Sequence, residues 1–312
     1  MNIKDIKSDF KNGKLTKPEF ADKMHVYHSV LFEFSERLAG TEIGKIEIED
    51  GKVIFVTRQT NFHPGGVKFY LDIADKRITP LEAFNFDQYE QEDSEMLYSL
   101  VNDGDTIFDI GANIGWYSNH LAKKLPNATI ICFEPIPATF AQLKSNTELN
   151  QSQNIILNDF AFSDTVKTLS FYYSPALTGA SSSVNITEND SMILLECPAD
   201  TIDNFVAKNN IPKLDFIKCD VEGAELFVYK GGAATIEKYK PVVFSEMLRK
   251  WAAKFGYHPN DIIDFYGNFG YNCYTSHGGK LVPFGRVTDE TLETNYFFLH
   301  PVKHAEKIKS LS

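Results

Sequence analysis

What the chain lacks narrows the field first. Its four cysteines (Cys132, Cys197, Cys219, Cys273) are scattered with no C-x-x-C pair. Two of them sit inside strand-like runs, so they read as core thiols in a reducing compartment. No run approaches 18 apolar residues, and the opening Met-Asn-Ile-Lys-Asp-Ile-Lys has no apolar signal-peptide core, so a cytoplasmic protein with no membrane partner is expected. Positive charge is also scarce. With 31 Lys and Arg against 42 Asp and Glu, the formal charge is −11, which argues against a nonspecific grip on phosphates; no nucleic-acid partner is expected. Apolar material is plentiful by contrast, at 43% hydrophobic and 13% aromatic, and 312 residues suit one large α/β domain plus an appendage.

One further absence is diagnostic. Residues 105 to 118 read as strand, tight turn and helix: an apolar run (Ile107, Phe108, Ile110) around Asp109 enters the turn Gly111-Ala112-Asn113-Ile114-Gly115, and a helix-compatible segment follows from Trp116 to Lys124. Glycine fits where backbone takes positive φ or comes close to a ligand, and the helix start adds unpaired N–H groups. The dinucleotide fingerprint G-x-G-x-x-G needs a middle and a third glycine that this turn does not have, so a bound pyrophosphate is not expected. A second strand-like run, Ala128 to Phe133, ends at Glu134, where a carboxylate suits a ribose diol. A short glycine turn between strand-end acids suits S-adenosylmethionine, a phosphate-free cofactor. Such a turn also occurs as plain punctuation between strand and helix.

A third stretch adds weight. Leu214 to Glu225 is another buried-strand pattern running into acids and a glycine. Open α/β sheets bind ligands at the carboxyl ends of their strands, which brings Asp220 and Glu222 to the same crevice as Gly111 and Glu134. Taken in order, GDTIFDIGANIGWYS, CFEP, AFSD, TIDNF, FIKCDVEGAE and KYKPVVFSE resemble the FkbM family of S-adenosylmethionine-dependent methyltransferases over roughly residues 70 to 275. The resemblance implies an α/β fold with a Rossmann-like class I methyltransferase sheet flanked by helices. It also implies O-methylation of a hydroxyl on a sugar, polyketide or other secondary metabolite. By that resemblance the cofactor residues are Asp109, Gly111, Ala112, Asn113, Gly115, Glu134 and Asp220. Asn158 and Asp159, at the next strand end, either meet adenine or cap a turn.

Residues 1–80 are expected to form an N-terminal helix and β-hairpin appendage, and 81–312 the methyltransferase domain. The first forty residues read as helix, with a capping box at Thr16 and Glu19 and an apolar face from Phe20 to Leu38. That face either packs on its own domain, covers the crevice or makes a homo-oligomer contact. Asp50-Gly51 predicts a hairpin, and the loop Gly179–Val184 reads as lid or linker. The aromatic stretch from Trp251 to Tyr274 reads as core, Glu225 as a surface helix residue, and Lys303 to Lys309 as a solvated tail.

Methyl transfer from a sulfonium is an in-line displacement, so the protein contributes alignment and proton removal. Asp220, Glu222 and Glu246 are the candidate bases, with His258 further off; clustering raises the proton affinity of one carboxylate. Alternatively, Asp220 and Glu246 hold a divalent metal that acidifies the acceptor. The expected partner is a small-molecule or glycan hydroxyl. An RNA or protein methyltransferase and a catalytically silent cofactor-binding subunit are the competing readings.

Overall fold

The computed structural model describes residues 2–173 and 193–312. The helix expected over the first forty residues is two, α1 (Ile3–Lys11) and α2 (Lys17–Leu38). Gly13, at φ +70°, breaks the path between them. The capping box holds: the Thr16 N–H donates to Glu19 Oε2 at 2.7 Å, and the Glu19 N–H to Thr16 Oγ1 at 3.4 Å. No residue of α2 is buried. Phe20 stacks on Phe10 and Phe34 on Phe84, while Val26, Leu31 and Phe32 remain exposed between them. Next come β1 (Ile43–Glu49) and β2 (Lys52–Thr57), paired antiparallel about Asp50-Gly51, both at positive φ as a type I′ turn requires. β3 (Lys68–Tyr70) completes a three-stranded sheet.

Two helices, α3 (Thr79–Asn85) and α4 (Gln91–Leu100), lead into the main sheet. Its first half runs β4 (Thr106–Ile110), α5 (Trp116–Lys124), β5 (Thr129–Phe133), α6 (Pro137–Leu149) and β6 (Ile155–Asn158). A side sheet follows, formed by β7 (Ala161–Phe162), β8 (Lys167–Tyr173) and β9 (Ile193–Asp200), in the order β7-β9-β8. β8 and β9 pair antiparallel, up to Tyr173 opposite Ile193; the Gly179–Val184 loop lies outside the described residues. The chain continues through α7 (Ile202–Lys208), β10 (Phe216–Cys219), α8 (Glu225–Lys230), α9 (Ala233–Tyr239) and β11 (Val242–Glu246). It ends with α10 (Arg249–Ala252), α11 (Pro259–Gly267), β12 (Asn272–His277), β13 (Lys280–Phe284), β14 (Asn295–Leu299) and α12 (Ala305–Leu311).

The eight strands lie in the order β13-β12-β14-β11-β10-β4-β5-β6, parallel from β11 to β6 and antiparallel from β11 to β13. The parallel strands read as unbroken apolar runs because both faces are covered. Ile107, Ile130 and Phe216 enter one core together with Phe55 and Phe69 of the small sheet, while Phe108, Ile131 and Ile217 enter the core on the other face. The aromatic stretch feeds this second core, where Tyr266 stacks on Phe298 at 4.4 Å. The basic tail, however, is not merely solvated. It forms α12, and the ammonium groups of Lys303 and Lys307 donate to the carbonyls of Tyr239 and Leu100. Among the described residues no helix is long and apolar enough to cross a membrane.

Candidate active site

The chain starts the main sheet at β4, builds outward through β5 to β6, and returns to place β10 on the other side of β4. The carboxyl ends of β4 and β10 therefore form the switch point where such sheets open a crevice. The glycine turn lies there. Gly111 has φ +74°, and a Cβ on it would sit 1.8 Å from the carbonyl oxygen of Asp220, so no other residue fits. Asn113 adopts φ +49° without being glycine, a strained conformation of the kind concentrated at ligand sites. Its Oδ1 is buried with no hydrogen-bond partner among the described residues.

Glu134, 6% exposed at the end of β5, ties this turn to the next one. The Asn113 N–H donates to Oε2 and the Ile136 N–H to Oε1, both at 3.0 Å. Burial raises its proton affinity to about pH 7 against the lowering effect of those two donors. Each oxygen keeps a second lone pair, which is what a ribose diol needs. Asn158 acts as a strut, with Nδ2 donating to the Cys132 carbonyl at 3.1 Å and its own carbonyl accepting from the Glu134 N–H at 3.0 Å. Asp159 is exposed beside it.

The residue that sequence reasoning missed is Lys218. It lies inside the β10 strand with 4% exposure, and its ammonium donates to the Gly111 carbonyl at 2.9 Å. It also pairs with Asp220 Oδ2 at 3.4 Å and Asp109 Oδ1 at 3.6 Å. Burial opposes its charge, but Asp220 and then Asp109 outweigh it and hold the proton affinity above the ordinary lysine range. Asp109 is not open to a ligand: it is 1% exposed, and Ser118 Oγ donates to its Oδ2. One cation thus fixes both strand ends and the turn. The signal was a lysine in an otherwise apolar strand, which must find a partner.

Beyond Asp220 the acids converge as expected. Asp220, Glu222 and Glu246 each offer an oxygen within 4.8 Å of the others, a hard-oxygen set that can share protons or a divalent cation. Glu222 itself stands at φ +57°. A fourth member, Glu90, comes from the loop before α4, also left-handed at φ +43°. Tyr117 donates to its Oε2 at 2.8 Å, and burial followed by the charge of Asp220 raises its proton affinity to about pH 7. Burial first, then Asp220 and Glu222, raise that of Glu246 well above the usual range. Beside Glu246, Asn295 is its register partner on β14 and donates to Asp93. A groove of about 530 Å³ opens here, lined by Glu92, Asp93, Ser276, His277, Leu292 and Asn295. His258 takes no part in the carboxylate group: it is exposed and caps α11, accepting from the Asn260 N–H at 3.2 Å.

Glu225 departs from expectation. Instead of a surface position it is 1% exposed, and Oε1 accepts from the N–H groups of Val221 and Gly223, while Tyr257 donates to Oε2. It therefore shapes the loop that carries Glu222, and burial raises its proton affinity to about pH 7. Glu90, Glu134 and Glu225 thus hold protons in the folded chain up to about pH 7, whereas unfolded glutamate releases its proton near about 4.3. The folded state binds more protons in that window, so their stabilising contribution is full below it and lost as pH rises through about 7. The melting temperature should drop between pH 5 and 8, and Glu225→Gln, which keeps the Oε1 acceptor, should flatten that slope. An unchanged slope in the variant would remove Glu225 from this account.

A Rossmann-like sheet with a glycine turn and acids at its switch point is the arrangement expected of a class I methyltransferase. A family model described as the methyltransferase FkbM domain matches residues 109–273, more than half of the chain, and the chain belongs to that family. It is 29% identical over 154 residues to the hexuronic acid methyltransferase AglP of Haloferax volcanii, covering 49% of this chain and 61% of that one. To the 2-O-methyltransferase NoeI of Sinorhizobium fredii it is 28% identical over 158 residues, covering 46% and 63%. The chain spans about three fifths of the length of these curated relatives. Among solved structures it is similar to a methyltransferase FkbM from Methylobacillus flagellatus, with TM-score 0.42, 18% identity, and coverage of 70% of this chain and 53% of that one.

Proposed function

We propose that this protein transfers a methyl group from S-adenosylmethionine to a hydroxyl on a sugar, glycan or secondary metabolite. The observation that carries this reading is the meeting of the Gly111 turn, Glu134 and the carboxylate group at one switch point. The cofactor, when bound, supplies an electrophilic methyl on a sulfonium. Glu134 offers its free lone pairs to the ribose hydroxyls, the Gly111–Gly115 turn with the unsatisfied Asn113 Oδ1 accommodates the methionine end, and the exposed Asp159 is the candidate for adenine. Lys218 holds Asp220 and the turn in position. The acceptor enters by the groove beside Asn295, and Glu246 accepts its proton. Relatives named for a hexuronic acid and for 2-O-methylation support a sugar hydroxyl.

This groove presents carboxylates, so neutral or cationic acceptors suit it better than an anionic uronate. Transfer of tritiated methyl to a panel of neutral glycosides, amino sugars and uronates tests this: label should enter the neutral or amino sugars first, and preference for uronates would overturn the acceptor assignment. The formal charge of −11 counts against RNA as the acceptor. A contact with a second copy through α2 would use the exposed Val26, Leu31 and Phe32.

A further inference from the structure

A second group of ligating side chains lies away from the crevice, where the small sheet packs on α5. Glu42 precedes β1, His63 lies in the loop between β2 and β3, and His120 is on α5; one ligand atom from each lies within 4.8 Å of the other two. The histidines are 5% and 0% exposed, and their rings meet with centroids 4.4 Å apart at 62°. The hydrogen bonds at their outer edges decide the tautomers. His120 Nδ1 faces the Trp116 carbonyl at 2.8 Å, and His63 Nδ1 faces the Pro64 carbonyl at 3.3 Å. A carbonyl only accepts, so both Nδ1 atoms carry hydrogen and each neutral ring has its lone pair on Nε2.

The two Nε2 atoms have different partners, Glu42 for His63 and the Thr57 hydroxyl for His120. His63 Nε2 stands 3.0 Å from Glu42 Oε1, and two lone pairs at that distance repel unless something positive lies between them. Either a proton is shared between His63 and Glu42, or a cation is shared with His120. An Nδ1–H held by a backbone carbonyl, leaving Nε2 free, is the arrangement that orients metal-ligating histidines. Two imidazoles and one carboxylate are a zinc donor set. We propose that Glu42, His63 and His120 bind a divalent transition-metal ion, Zn²⁺ by donor type, that staples the N-terminal sheet to α5.

Thr57 Oγ1, 3.2 Å from His120 Nε2, offers a further oxygen. The other Glu42 oxygen accepts the Tyr89 N–H at 3.1 Å, next to Glu90, so the ion would also brace the loop that delivers Glu90 to the carboxylate group. Deep burial points to a structural role.

The test is metal analysis of the full chain, purified without a metal-affinity tag from zinc-supplemented medium, beside Glu42→Gln and His120→Ala. About one zinc per chain is expected in the parent and a large loss in both variants; chelation should lower the melting temperature of the parent, and added Zn²⁺ should restore it. Glu42→Gln keeps the side-chain shape, so it reports on binding even if His120→Ala fails to fold. Cobalt substitution should give the visible absorption of a tetrahedral site in the parent alone. A metal-free parent whose melting temperature ignores chelator and zinc would overturn the proposal in favour of a His63–Glu42 ion pair. Zinc retained by both variants would overturn it as well.

Discussion

Lys218→Met should destabilise the fold by about 3–5 kcal/mol, the range for removing one partner of a buried ion pair. Methionine fills the same strand position, so packing is largely kept. What is lost is the cation that holds Asp109, Asp220 and the Gly111 carbonyl together at 3.6, 3.4 and 2.9 Å. Asp109, 1% exposed, is then a buried carboxylate facing its neighbours with no counter-charge. Urea unfolding of the parent, the single variant and Lys218→Met combined with Asp109→Asn reads this directly. The second substitution should return part of the lost stability, because groups that touch do not act additively. If the two losses simply add, Lys218 is not the hub described above.

Glu246→Gln should lower kcat by about 10²- to 10⁴-fold, the usual contribution of a positioned base, or about 3–5 kcal/mol of barrier. The amide keeps the shape and register of the β11 end opposite Asn295 but cannot take a proton. Binding of S-adenosylhomocysteine should be unaffected, since the proposed cofactor contacts lie at Gly111 and Glu134. Glu90 enters through its charge. It raises the proton affinity of Glu246 after Asp220 and Glu222, so Glu90→Gln should move the ascending limb of the pH–rate profile to lower pH. Steady-state kinetics across pH 5–9 separates the two residues. An unchanged kcat in Glu246→Gln would transfer the base role to another member of the group.

Much of this was written in local pattern. The strands β4, β5, β10 and β11 are apolar runs because a doubly covered parallel sheet leaves no wet face, and the Asp50-Gly51 turn and Thr16 cap are set by a few adjacent residues. Acids at strand ends converge because topology brings carboxyl ends to one edge, so Asp220, Glu222 and Glu246 could be placed together. Glu90 could not. It reaches the group from a loop far upstream, held there by Tyr117, and nothing around it in QYEQEDSE marks one acid from the next. Glu225 and Lys218 were misjudged or passed over because their partners are backbone groups and residues brought in by folding. The docking of α12 on the Leu100 carbonyl is likewise a tertiary fact, whereas the break at Gly13 is local and was passed over.

Cofactor binding is the claim on which the rest depends, and calorimetric titration with S-adenosylhomocysteine tests it most directly, using the parent, Glu134→Ala and NAD as the control ligand. The parent should bind S-adenosylhomocysteine and not NAD. At pH 8, where Glu134 is ionised, Glu134→Ala should bind it about 10- to 100-fold more weakly, the loss of hydrogen bonds to a charged group at about 1.5–3 kcal/mol. NAD binding without S-adenosylhomocysteine binding, or equal affinity in parent and variant, would contradict the assignment of the Gly111 turn and Glu134 as the cofactor site.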